Sequence, residues 1–286
     1  MTSPAPSDSY RLLDSGAFAK LEMAGPWRLV RPCPQAVWPR RLPPAEWERA
    51  DAVYERSSSG GGDWQYRRPL PGQWLLRHGG QPWLAKPTGF GHLGLFMEQA
   101  ENWEWLRRQA AAYGPGARHL NLFAYTGGST LALARGGGQA THVDAARGVV
   151  AWARDNAREQ GLEKAPVQWV VEDAGKFCQR EVRRGRSYQG LVLDPPTFGR
   201  GPAGELWKIE TDLPPLLELG RQLLATDRPA FVLLSCHSPG FTPLVLENLL
   251  VAVLGTPSRL ESGEMVVPEE GGRPLPAGCC ARWRRD

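Results

Sequence analysis

Two regimes of hydrophobic patterning meet near Lys86. Before it, short runs alternate aromatic or aliphatic residues with basic ones: Trp27-Arg28-Leu29-Val30-Arg31, Trp64-Gln65-Tyr66-Arg67 and Gln73-Trp74-Leu75-Leu76-Arg77. Alternation of that kind between Pro and Gly breaks predicts a small, half-exposed antiparallel sheet. Pro43 to Arg49 reads as a short helix and Ser57 to Gly62 as a flexible loop. After Lys86 the period changes. Leu95 to Tyr113 carries apolar residues at helical spacing and stops at Gly114-Pro115-Gly116. Short apolar runs then alternate with amphipathic ones: strands at His119–Ala124, Ala140–Val143, Val167–Val171, Gly190–Leu193 and Ala230–Leu234. Between and after them, helices are predicted from Ser129 to Arg135, Ala146 to Gln160, about Glu210 to Leu224 and Pro243 to Leu254, with a closing hairpin across Met265–Arg284. Strand–helix alternation argues for an α/β fold, an open parallel sheet with helices on both faces. The expected organisation is a β-rich N-terminal domain over residues 1–85, with a role in substrate recognition, and an α/β domain over 86–286.

Such a sheet binds ligands beyond the carboxyl ends of its strands, near the point where strand order reverses. The residues that follow each predicted strand are therefore the candidates. They are Tyr125-Thr126-Gly127-Gly128-Ser129, then Asp144, then Glu172-Asp173-Ala174, then Asp194-Pro195-Pro196-Thr197-Phe198, and last Ser235-Cys236-His237-Ser238. Four of these five positions hold an acid or a thiol. The glycine turn admits close backbone approach. Asp144 follows it at about 20 residues, the separation at which an acid accepts from both ribose hydroxyls. Asp173 is placed to accept from an adenine amino group. The turn is not G-x-G-x-x-G, which disfavours a pyrophosphate and fits S-adenosylmethionine. Gly127 and Gly128 alone would be explained by a tight strand–helix turn; Gly136-Gly137-Gly138 reads as a loop.

Asp194 stands before two prolines that stiffen the strand end and donate no N–H, so its carboxylate is expected to reach the cleft. Phe198 either stacks on a planar substrate or packs. For Cys236 two readings stay open. A cysteine at this place is ordinarily an inert small hydrophobe. Because Ser235 and His237 are poor core residues, it is also a candidate nucleophile that adds to C6 of a cytosine and activates C5. Asp194 would then stabilise the ring, and His237 would contact the substrate or lower the thiol pKa.

Composition narrows the class further. No apolar run approaches the ~20 residues of a membrane span, and the polar, Pro/Ser-rich Met1–Tyr10 segment has no secretory core, so a cytoplasmic protein is expected. The five cysteines (33, 178, 236, 279 and 280) form no C-x-x-C pair. That indicates neither a zinc site nor a disulfide framework, predicts no metal site and leaves at least one thiol chemically available. A net charge of +4 suits a polyanionic partner without requiring one. Six of the 12 tryptophans precede residue 86, where core packing competes with base stacking.

Leu120-Asn121-Leu122-Phe123-Ala124-Tyr125-Thr126-Gly127-Gly128, Asp194-Pro195-Pro196-Thr197-Phe198 and Ser235-Cys236-His237-Ser238 resemble motifs of the ribosomal RNA cytosine-5 methyltransferase family that modifies 23S RNA. Gly89 to Gln99 is similar to the segment preceding the first strand in that family. The resemblance spans residues 86–286. It implies a Rossmann-like seven-stranded methyltransferase domain whose last strand is antiparallel. It implies S-adenosylmethionine against Phe123, Ala124, Tyr125, Thr126, Gly127, Asp144, Ala145, Asp173, Ala174 and Asp194. It further implies Cys236 and Asp194 as catalytic residues, Pro195, Pro196, Phe198 and His237 around the substrate, and RNA, best ribosomal, as partner. Residues 1–85 do not resemble the PUA domain of well-known members; Arg31-Pro32-Cys33-Pro34-Gln35-Ala36 resembles a subgroup of predicted methyltransferases. Methylation of a nitrogen at the Asp-Pro-Pro turn, a non-catalytic RNA-binding protein, and assembly into a homo-oligomer remain alternatives.

Overall fold

The computed structural model describes residues 9–57, 61–200, 204 and 206–286. Most of the N-terminal segment and residues 58–60 of the expected loop lie outside the described residues. The chain forms two compact units, one made of residues 1–100 with Val266–Ala277, the other of Glu101–Met265 with Gly278–Asp286. The first unit is thus discontinuous in sequence, whereas the expected boundary fell once, at residue 85.

In the first unit, β1 (Tyr10–Gly16), β2 (Ala19–Ala24), β3 (Trp27–Pro32), β4 (Ala52–Arg56) and β5 (Gly62–Tyr66) form one sheet in chain order. Helix α1 (Pro44–Glu48) carries the chain between β3 and β4, so those two pair parallel where an all-antiparallel sheet was expected. Strands β6 (Trp74–His78) and β7 (Gln81–Ala85) form a separate ribbon. Buried charge explains why β1 and β2 escape a hydrophobic pattern. Asp14 is fully buried yet accepts from the N–H groups of Ser15, Arg41 and Leu42 and from the Trp47 indole. Glu22 is likewise buried, held by Arg31 and the Tyr10 hydroxyl, and the Arg31 guanidinium keeps its carboxyl down at about 2 against the pull of burial.

A 3-10 turn at Met97–Gln99 closes the first stretch of the first unit and runs into α2 (Ala100–Tyr113), within which the second unit begins at Glu101. There follow β8 (Arg118–Leu122), α3 (Gly128–Arg135), β9 (Gln139–Asp144), α4 (Arg147–Glu159), β10 (Val167–Val171), α5 (Ala174–Arg183) and β11 (Gly190–Leu193). A short hairpin, β12 (Phe198–Arg200) with β13 (Leu206–Lys208), leads to α6 (Ile209–Leu223), β14 (Ala230–Cys236), α7 (Pro243–Leu254), β15 (Arg259–Val267) and β16 (Leu275–Arg285). The seven-stranded sheet has the order β10-β9-β8-β11-β14-β16-β15. Pairing is parallel from β10 to β14, and β16 runs antiparallel to β14. Chain order reverses between β8 and β11, which makes the carboxyl ends of those strands the switch point. Leu120, Leu122, Leu191, Leu193, Val232 and Leu234 on one sheet face pack with Phe177 of α5 and with α6 and α7. That core fixes how far each strand end projects. Among the described residues no helix is long and apolar enough to cross a membrane.

Candidate functional site

The turn after β8 is strained and pinned. Phe123 and Tyr125 have φ of 55° and 48°, and Gly127 has 95°. Non-glycine residues in this left-handed region cost on the order of 1 kcal/mol each or more and persist only where neighbours hold them. The holds are visible. The Tyr125 N–H donates to Asp144 Oδ2 at 2.9 Å, and Asn156 of α4, fully buried, donates to the Thr126 carbonyl at 2.9 Å. The two glycines serve packing: a Cβ on Gly127 would meet the Ala153 Cβ at 3.2 Å, and one on Gly128 would lie 2.6 Å from the Trp103 ring. Gly127 is required by its left-handed backbone as well as by the approach of α4, and Gly128 by the Trp103 ring packed against it. The strained backbone between Phe123 and Gly127 is the distinctive feature.

Asp144 ends β9, and its other oxygen, Oδ1, accepts from the Ala146 N–H at 2.9 Å, drawing Ala145 into the same turn. Burial pushes its carboxyl pKa up, and the N–H groups of Ala146 and Tyr125 oppose that. Asp173 is the N-cap of α5, with Oδ1 accepting from the Lys176 N–H at 2.9 Å. One of its oxygens is thus committed to the helix rather than to a ligand. Ala174 is buried beneath it, and neighbouring Glu172 is closed off by an ion pair with Arg180.

At the end of β11 Asp194 is about one quarter exposed (27%), held by a 2.7 Å hydrogen bond from the Ser235 hydroxyl, with His237 Nε2 at 3.9 Å from the same oxygen. Pro195 is buried while Pro196 and Phe198 are exposed. The Thr197 and Ser238 hydroxyls share a 2.7 Å hydrogen bond, tying the Asp-Pro-Pro turn to the segment after β14. His237 has a glycine behind it: a Cβ on Gly278 would stand 2.7 Å from its Nδ1.

Cys236 is placed otherwise than expected. It is the last residue of β14, opposite Cys279 on β16, and is 1% exposed. Side chains alternate along a strand. Ser235 therefore turns to Asp194, and Cys236 joins Ala230, Val232 and Leu234 in the apolar core. Burial raises its thiol pKa, partly offset by the Ser238 N–H donating to Sγ at 3.4 Å. All five cysteines are buried, so none is an available thiol in this state.

Trp207 was missed by sequence reasoning, because a tryptophan among Gly, Glu and Leu carries no period. Its ring lies 4.9 Å from that of Phe123, and its indole N–H donates to the Pro196 carbonyl at 2.6 Å. Asn156 had a signal: a polar residue in the buried stripe of α4 with Val150, Ala153 and Ala157. Among the described residues no group of three or more His, Cys, Asp or Glu side chains is arranged to hold a metal.

Residues 61–234 match the family model described as S-adenosylmethionine-dependent methyltransferase. The chain is 34% identical over 164 residues to the ribosomal RNA large subunit methyltransferase I of Aeromonas hydrophila, a match covering 57% of this chain and 39% of that protein. It is 32% identical over 189 residues to the methyltransferase K/L of Stutzerimonas stutzeri, covering 62% of this chain and 24% of the relative. The matches thus span well under two thirds of these relatives. The crystal structure of a SAM-dependent methyltransferase from Agrobacterium tumefaciens superposes with a TM-score of 0.92 at 37% identity, over 99% of this chain and 92% of that one. A Streptococcus mutans structure at 17% identity and a TM-score of 0.76 shares the fold.

Proposed function

The chain belongs to the S-adenosylmethionine-dependent methyltransferase family, and from that premise we propose that it methylates a base of RNA, ribosomal RNA first, at the rim formed by β9, β8 and β11. The observation that carries this reading is the adjacency of those three parallel strands. Their ends bear Asp144, the strained Phe123–Gly127 turn and Asp194 side by side. Membership of the family sets aside a non-catalytic RNA-binding protein.

The residues present fit the cofactor. Each Asp144 oxygen accepts one backbone N–H, which fixes the carboxylate and leaves a lone pair on each oxygen for the two hydroxyls of a ribose. Ala124, Thr126 and Ala145 line the same turns, and the free oxygen of Asp173 suits an adenine amino group. When bound, S-adenosylmethionine supplies an electrophilic methyl group on a sulfonium.

The acceptor chemistry the resting geometry favours is direct attack by a base nitrogen. Asp194 is reachable, oriented by Ser235, and able to accept an N–H of the base, with Pro195, Pro196 and Phe198 beside it and His237 within reach of the same carboxylate. A second reading, methylation of cytosine C5, has its own support in the Ser238 N–H that faces Cys236 Sγ and would stabilise a thiolate. There the thiolate adds to C6, C5 takes the methyl group, and loss of the C5 proton expels the thiol. That route requires Cys236 to leave the apolar face in which it is buried. Digesting RNA methylated by the protein to nucleosides and identifying the products by chromatographic retention and fragmentation against nucleoside standards separates the routes, since the N- and C5-methylated cytidines have the same mass. An N-methylated nucleoside supports the first and 5-methylcytidine the second; methylation of no RNA refutes both.

A further inference from the structure

The hairpin that follows the Asp-Pro-Pro turn has two unlike faces. Phe198 pairs with Lys208, Gly199 with Trp207 and Arg200 with Leu206. Residues directly opposite in an antiparallel pair share a face. Trp207 therefore points inward, where it meets Phe123 and the Pro196 carbonyl, and Gly199 opposite it carries no side chain. The outward face carries Phe198, Leu206, Arg200 and Lys208. Phe198 is 53% and Leu206 48% exposed, and both cations are exposed.

An outward phenyl ring and aliphatic side chain cost solvation and contribute nothing to the unit's core. Their arrangement, one aromatic platform and two cations on the hairpin that directly follows Asp194-Pro195-Pro196, is the chemistry that holds a single nucleic-acid strand. Bases stack on an aromatic face and phosphates pair with arginine and lysine. The anchor matters as much as the face. With Trp207 fastened to both the strained turn and the Pro196 carbonyl, the outward face is held in fixed register with the acceptor site. We infer that Phe198, Arg200, Leu206 and Lys208 grip the RNA strand flanking the target base, so that the substrate is a polynucleotide and not a free base or nucleotide. This rests on the RNA reading given above.

The test is binding of a fluorescein-labelled, mixed-sequence single-stranded RNA to the full chain across a salt series. The proteins are wild type, Arg200→Ala/Lys208→Ala, Phe198→Ala and a charge-matched control, Arg221→Ala/Arg228→Ala. Of the control residues, Arg221 lies in the last turn of α6 and Arg228 beyond it, at the end of the helix away from the Asp-Pro-Pro turn. Loss of two phosphate contacts should make the slope of log K against log salt shallower by about 1.4. Phe198→Ala should weaken binding about tenfold at constant salt. The control should match wild type. Equal slopes for wild type and Arg200→Ala/Lys208→Ala, or an equal change in the control, overturn the inference. If wild type still methylates RNA in that case, the hairpin assignment falls while the proposed function stands. If wild type neither binds nor methylates RNA, both fall.

Discussion

Trp207 and Phe123, 84 positions apart in sequence, lie with ring centroids 4.9 Å apart, and the same indole donates to the Pro196 carbonyl. The contact joins the strained turn after β8 to the Asp-Pro-Pro turn after β11. Replacing Trp207 by alanine removes an aromatic pair worth about 1 kcal/mol beyond its buried area, together with a hydrogen bond. Calorimetry should show cofactor affinity about tenfold weaker in Trp207→Ala and only a few-fold weaker in Trp207→Phe, which keeps a ring. Equal affinities in all three proteins would mean that the contact does not support the turn.

Cys236 offers a sharper test. With the thiol buried in the apolar face of β14, Cys236→Ala should keep methyl-transfer rates within about threefold of wild type and cost about 1 kcal/mol of stability for the small cavity. A loss of three or more orders of magnitude in single-turnover rate, with unchanged cofactor binding, would instead establish the covalent route.

The parallel half of the sheet was legible because β8 to β11 are short apolar runs ended by turn residues, and each predicted end lies within two residues of the observed one. The acids at those ends were found by the same reading. What escaped did so through long-range partners. Asp14 breaks the pattern of β1 but is satisfied by backbone from residues 41 and 42 and by Trp47. The helix α5 hides Glu181 in its buried stripe, where the Tyr188 hydroxyl and Arg184 satisfy it. Cys236 was expected past the end of its strand. Two further residues of pairing with β16 fix its parity and turn it inward, since a strand's facing is set by pairing rather than by its polar neighbours. Val266–Ala277 joins the first unit across a gap in sequence that no local signal announces.

His119 sets a pH limit on stability. It is fully buried between Tyr113 and Phe231, both ring nitrogens lack a hydrogen-bond partner among the described residues, and burial pushes its pKa down to about 4. The folded state therefore prefers the neutral ring. The stability this contributes is complete above the ordinary value near 6.5 and is lost as pH falls from there through 4, on the order of 3 kcal/mol in all. His142, pushed to about 3 chiefly by burial, adds to the same trend. Urea unfolding at pH 7.5 and pH 5 should show a clear drop for wild type and a smaller one for His119→Phe, which keeps the aromatic stack. Identical drops would remove His119 from the explanation.

Asp144 should govern the cofactor without governing the fold. Asp144→Asn keeps the size but replaces one acceptor by an NH2 group where a backbone N–H already points. Isothermal titration should give a cofactor affinity lower by about thirtyfold or more, the loss of at least one charge-assisted hydrogen bond. Wild-type affinity in that variant would place the ribose elsewhere.

The central claim is that methyl transfer to RNA occurs beside Asp194, at the end of the strand next to the cofactor turn. Its most direct test is the transfer of tritiated methyl groups from S-adenosylmethionine to RNA from cells lacking the gene, by wild type and by Asp194→Ala. Wild type should label the RNA, and the variant, compared at saturating cofactor, should label it about a hundredfold more slowly. Labelling by Asp194→Ala at the wild-type rate, or no labelling by wild type, would contradict the account.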